Sequence, residues 1–155
     1  GMDYPDVSYI LQVGAPADRA QYLHRLGRTA RAGKEGAGLL LLCDFEQYFL
    51  NSLKNLPLVD DDAPLATKLG EAQAQVDRAL PKLHAKDPLI GAQAYKAWLG
   101  QNRGLTTELK WSKAKLVDMA NYYATDVMKM RVPALEAETV GKMGLKGVPG
   151  IVIAQ

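Results

Sequence analysis

Residues 38–43 read GLLLLC, a short apolar run with Gly36 shortly before it and Asp44 directly after it. A run this short, closed at both ends, predicts a strand buried on both faces. Downstream, residues 45–55 read FEQYFLNSLKN. That is an amphipathic helix pattern, with Phe45, Tyr48, Phe49 and Leu53 on its apolar side and Asp44 placed to cap it. Upstream, VSYILQV at 7–13 is a second β-rich run, ended by Gly14 and Pro16. Between the two runs, Asp18 is placed to cap a helix that starts near Arg19 and carries Tyr22 and Leu23. Residues 27–33 are Gly- and Arg-rich and predict a turn. The order strand, helix, loop, strand, helix predicts an α/β arrangement with parallel strands. Two strands cannot stabilise such a sheet, so the sequence is expected to begin inside a domain. Exposed strand edges predict self-association with another copy.

The pattern changes after a linker at 56–64, which holds two prolines and three consecutive aspartates. Residues 65–80 have helical periodicity through Leu65, Leu69, Ala72, Val76 and Leu80. Residues 88–103 (PLIGAQAYKAWLGQNR) place Pro88 in a first helical turn. Ser112 is placed to cap a further helix with Leu116, Met119, Ala120, Tyr123 and Val127 in line. Pro133 interrupts, and 134–142 predicts one more short helix. The second half is therefore expected to be a layer of about four helices.

Composition narrows the class. Apolar residues make up 48% and charged residues 23%, which fits a globular chain. The net charge of +2 is too small to argue for nucleic acid by itself, but its distribution is uneven. Five basic residues and no acid lie between Arg19 and Lys34. Cys43 is the one cysteine, which rules out an internal disulfide or a cysteine-based zinc site, and no metal ligands are predicted. No apolar run approaches a membrane span, so no membrane partner is expected. Residues 1–15 show neither a signal-peptide pattern nor an Arg-rich transit pattern.

The chemistry concentrates in residues 21–31, QYLHRLGRTAR. Arg25, Arg28 and Arg31 recur at intervals of three, with His24 beside them and no acid nearby. A guanidinium does not discharge in a protein, so such a cluster expects an anion. Its forked donors match phosphate oxygens. A solvated basic face is the plainer alternative. Gly27 and Ala30, which leave room for close approach, favour the anion.

This segment resembles motif VI of DEAD-box and related superfamily 2 helicases, usually written HRxGRxGR. It departs at Ala30, where many members have glycine. Because a small residue is kept, little cost is expected there. The preceding residues resemble motif V, G-x-D-x-P-x-V, with Gly1, Asp3, Pro5 and Val7 in its positions. The resemblance implies an α/β fragment of a RecA-like helicase domain at 1–55, followed by an all-α C-terminal extension at 65–155. It further implies that Arg28 and Arg31 act as arginine fingers on the γ-phosphate. His24 would couple the motif to the first helicase domain, and Asp3, with Gly1, would contact the nucleotide. Arg25 would be an internal or RNA-facing support.

The chain has no G-x-x-x-x-G-K-[ST] loop, no DEAD tetrapeptide and no S-A-T. By resemblance, ATP and Mg²⁺ belong to the full-length parent and are bound mostly by its first RecA-like domain. This chain alone is expected to bind neither and to hydrolyse no ATP.

AYKAWLG at 94–100 and KMGLKGVPGI at 142–151 resemble the C-terminal extension of fungal mitochondrial DEAD-box helicases that act as RNA chaperones in splicing. That resemblance implies RNA as a partner and a mitochondrial location, with nucleus or cytoplasm as alternatives. Lys96, Arg103, Lys110, Lys113 and Lys115 lie around Trp98 and Trp111, opposed only by Glu108. Basic residues interleaved with aromatics can hold an RNA backbone and stack its bases. Alternatively, the lysines are a solvated face and the tryptophans are core. Tyr122, Tyr123 and the methionines at 119, 128 and 130 read as packing, and His84 carries no assignment. A non-catalytic RNA-binding or docking module, or a DNA helicase of the same superfamily, are the competing functions.

Overall fold

The computed structural model describes residues 7–31, 33–60 and 65–154. The chain divides into two compact units, Gly1–Asp60 and Asp61–Gln155.

In the first unit, β1 (Tyr9–Val13) and β2 (Ala37–Leu41) pair in parallel, Tyr9 opposite Ala37 and Val13 opposite Leu41. Both strands are shorter than the runs at 7–13 and 38–43. Between them runs α1 (Arg19–Leu26), and the Asp18 carboxylate caps it by accepting the Gln21 N–H at 2.7 Å. Strand β2 is not buried on both faces as expected: Ala37 and Gly38 are exposed and Leu39, Leu40 and Leu41 are half-buried. Tyr9, Leu11 and Val13 are 53%, 55% and 73% exposed. The reason is the alternation of a strand: only the face of Gln12 turns toward α1, where its amide donates to the Tyr22 carbonyl at 3.4 Å.

A 3₁₀ helix (Asp44–Leu53) follows β2. Its N-cap is Cys43 rather than the expected Asp44. The Glu46 carboxylate does the capping, accepting the Cys43 N–H and the Ala15 N–H, each at 2.9 Å. One side chain thus ties together the C-terminal ends of both strands. Burial, then the neighbouring Glu46 and Asp44 carboxylates, push the Cys43 thiol up. Tyr22, Phe49 and Leu53 form the small core, with the two rings edge to face at 6.4 Å.

The second unit holds five α-helices among the described residues. The first, α2 (Leu65–Lys86), does not stop at Leu80; it continues through Pro81. A proline there removes one backbone hydrogen bond, a loss the residues beyond it must offset. His84, which the sequence left unassigned, contributes to that: its Nε2 contacts the Met128 carbonyl at 2.9 Å. Next, α3 (Ile90–Arg103) starts after Pro88 rather than on it, because the Asp87 carboxylate accepts the Leu89 N–H at 3.0 Å and holds a turn there. A short α4 (Thr106–Leu109) leads to α5 (Lys113–Tyr122), where Ser112 Oγ accepts the Lys115 N–H as expected of a cap.

The C-terminal end of α5 widens into a π-turn (Tyr123–Val127), closed by the Met128 N–H on the Tyr123 carbonyl at 2.9 Å. Residues 134–142 are helical only as α6 (Ala137–Lys142). Leu135 instead pairs with Ile153 in an isolated parallel bridge, because its backbone bonds the tail at Val152 and Ala154. Tyr95, Leu99, Leu116, Val117, Val140 and Leu145 lie at the centre of the core. Tyr95 donates to Asn121 Oδ1 at 2.9 Å, and Asn121 donates to the Gly150 carbonyl at 3.0 Å, which anchors the tail. Gly150 has φ +86°, and a Cβ on it would lie 2.9 Å from Asn121 Nδ2, so only glycine suits this position. Burial pushes the Tyr95 phenol up, which keeps it protonated as the donor. Among the described residues no helix is long and apolar enough to cross a membrane.

Candidate functional site

The arginine cluster sits where α1 ends. The last carbonyls of a helix lack partners within it. Here Arg28 Nε donates to the His24 carbonyl at 3.4 Å, and Arg31 Nε donates to the Gly27 carbonyl at 3.1 Å. Both guanidiniums are drawn to the negative end of the helix and remain at the surface. Arg28 Nη2 also lies 3.4 Å from His24 Nε2. Arginine can only donate, so His24 Nε2 is the acceptor in this contact. Arg25 lies on the exposed side of α1. Gly1 and Asp3 lie outside the described residues.

The turn between Arg28 and Arg31 is fastened from below. Thr29 is 6% exposed, and its hydroxyl donates to the Val7 carbonyl at 2.5 Å. Gly36 packs beneath it. A Cβ on Gly36 would overlap Thr29 Oγ1 and stand 2.7 Å from the Ala30 nitrogen. Ala30 itself has φ +55°. That corrects the expectation of little cost at this position, because an L-residue with a Cβ is strained in the left-handed region. Ala30→Gly should relieve that strain by about 1–2 kcal/mol, less about 0.4–1 kcal/mol for the freer unfolded chain. The expected net gain is seen as slower hydrogen exchange at the Thr29 amide, which bonds the Leu26 carbonyl. Faster exchange in the variant would contradict it. Gly36→Ala should act in the opposite direction.

The basic residues of the second unit fall into distinct situations. Lys96 and Lys110 are exposed. Lys115 pairs with Asp118 at 3.4 Å, so Glu108 is not the only opposing acid; Asp118 faces Lys115 three residues along α5. Lys113 Nζ donates to the Gly144 carbonyl at 2.8 Å. Arg103 lies at the end of α3, exposed. Trp98 stacks with Trp111 at 6.5 Å and with Tyr123 at 5.6 Å, and both tryptophans pack on the core while staying partly exposed. Tyr122, read from sequence as packing, is instead 55% exposed.

Three comparisons bear on this arrangement. The family described as helicase conserved C-terminal domain matches residues 1–33, which end just past the arginine turn. A probable DEAD-box ATP-dependent RNA helicase 48 of Arabidopsis thaliana is 45% identical over 153 residues, covering 99% of this chain and 18% of the relative. The mitochondrial ATP-dependent RNA helicase MSS116 of Phaeosphaeria nodorum is 40% identical over 151 residues, covering 97% of this chain and 27% of the relative.

Over nearly its whole length the chain is similar to DEAD-box ATP-dependent RNA helicases.

It spans only 18% to 27% of the length of these two DEAD-box relatives. The similarity runs through the helical second unit as well as the arginine turn. A solved structure of Mss116p, lacking its NTE and C-tail and bound to ssRNA and AMP-PNP, superposes with a TM-score of 0.69. At 22% identity, over 100% of this chain and 31% of that one, it shows the shared fold: a small parallel sheet with several helices.

Proposed function

We propose that this chain is the C-terminal part of an ATP-dependent RNA helicase, contributing arginines to ATP hydrolysis and a basic surface to RNA binding. The observation that carries the reading is the turn after α1. It presents Arg28 and Arg31 at the surface on a main chain fastened by Thr29 and Gly36. Catalysis of phosphoryl transfer is mainly positioning and charge stabilisation, and a fastened pair of guanidiniums supplies both. In this reading residues 1–55 are the last part of the second RecA-like domain. His24 couples that turn to the first RecA-like domain, which holds ATP and Mg²⁺. Asp3 and Gly1 contact the nucleotide, and Arg25, exposed on α1, is an RNA-facing support. Closure of the two domains on ATP bends one RNA strand, and hydrolysis reopens them. The chain alone carries no Walker A loop and turns over no ATP. Lys96, Arg103, Lys110, Lys113 and Lys115 supply the RNA surface of the extension. A mitochondrial location is in keeping with the relative from Phaeosphaeria nodorum.

The RNA part of the reading is tested by titrating the chain against a short single strand and a short duplex across a range of salt. Binding that weakens steeply with salt is the expected result, since each phosphate neutralised releases counterions. Absence of binding at low salt would confine RNA recognition to other parts of the parent. An arginine turn that still served ATP turnover there would then exclude the bare RNA-binding module.

A further inference from the structure

The second unit contains a half-open recess of about 490 Å³ between the end of α3, the start of α5 and the turn after α6. Gly100, Gly104 and Gly144 form its walls, Arg103 and Lys113 stand on its rim, and Leu116 is part of its floor. No acid lines it. Elsewhere in this unit Lys115 pairs with Asp118 and Lys142 with Glu138. In contrast, among the described residues the Arg103 guanidinium has no ion-pair partner and Lys113 Nζ meets only the Gly144 carbonyl. Two cations thus face one cavity without a counter-charge.

The glycine at 100 is the telling residue. It sits inside α3, where glycine costs about 1 kcal/mol against alanine. Packing does not require it: the nearest atom to a Cβ there would be Met143 Cε at 3.8 Å, an ordinary contact. What glycine does at this position is keep the recess wall low.

We infer that this recess is a phosphate-binding site, taking the oxyanion of one phosphodiester from an RNA strand laid across the extension. Arg103 offers its planar fork to two oxygens, and Lys113 adds a point charge. Because the recess is half open, a polynucleotide can enter with one phosphate and continue along the surface. The identification of RNA as the source rests on the proposed function; the oxyanion chemistry does not.

The test uses the chain of residues 1–155 and a labelled single-stranded RNA of mixed sequence, with affinity measured across a range of salt. Arg103→Gln should weaken binding and flatten the log affinity against log salt slope by about 0.7, the value of one single-strand phosphate contact. Gly100→Met fills the recess without changing charge and should weaken binding too, whereas Lys82→Gln, on α2, should leave binding nearly unchanged. Circular dichroism melts establish that each variant is folded, and Gly100→Ala supplies a second, helix-favouring substitution that narrows the recess. RNA bound with affinity and slope unchanged in both Arg103→Gln and Gly100→Met would overturn the site while leaving the RNA reading intact. In parallel, inorganic phosphate is titrated while the amide shifts of Gly100, Gly104 and Gly144 are followed. Shifts lost in Arg103→Gln, without RNA binding, would keep the oxyanion site, assign it to free phosphate and overturn the RNA reading. No response to either probe would overturn both.

Discussion

Replacing Arg28 by alanine, in a longer polypeptide that joins this chain to a nucleotide-binding helicase half, should lower RNA-stimulated ATP turnover by about 10³-fold or more. RNA affinity should stay largely intact. The size follows from what a guanidinium does beside a transferring phosphoryl group, where charge spreads over three oxygens and water is excluded. The alanine variant loses that charge but little of the fold. Among the described residues the Arg28 side chain bonds only the His24 carbonyl and ring, both near the exposed end of α1. The corresponding lysine variant restores the charge without the fork and should recover only part of the rate. Turnover retained in Arg28→Ala would remove the arginine from catalysis and leave it as a helix cap. Loss of RNA binding in parallel would place it in the RNA surface instead.

Leu116→Ala should destabilise the second unit by about 2–5 kcal/mol. Leu116 is fully buried at the centre of the core, beside Tyr95, Leu99 and Leu145. Its removal costs both the transfer of the side chain and the cavity left behind. A domain of this size is stable by only about 5–15 kcal/mol, so a large fraction would be lost. Both tryptophans of the chain, Trp98 and Trp111, belong to this unit and pack against that core. Their fluorescence in a urea titration therefore reports the unit alone. The expected result is a lower midpoint with an unchanged slope. Leu83→Ala provides the comparison, because Leu83 is 39% exposed and should shift the midpoint much less. Equal effects of the two substitutions would mean that the core is not centred where the structure puts it.

Some features were legible because their causes are local. Asp18 and Ser112 cap their helices through bonds to residues three positions on, a relation that any sequence displays directly. The parallel pairing of β1 and β2 follows from a helix lying between two β-rich runs. The arginine triplet stood out because three cations without an acid are costly unless something meets them. Two signals were present but read too simply. The periodicity at 65–80 suggested a helix of that length, yet the helix persists through Pro81, with His84 held by Met128, 44 residues away. Asp44 suggested a cap, but Glu46 reaches both Cys43 and Ala15 with one carboxylate.

By itself, the amino-acid sequence determined the α/β-then-α order of the chain, its two clear caps and the surface arginines of the helicase motif. These depend on periodicity and on neighbours within about one helical turn. Only the tertiary structure decided the rest. It set Ala30 in a strained turn above Gly36, tied the tail to Asn121, and opened a recess in front of Arg103 and Lys113. Each of those depends on atoms brought together from distant parts of the chain. Backbone strain, close approach and empty space exist only once the packing around them has formed.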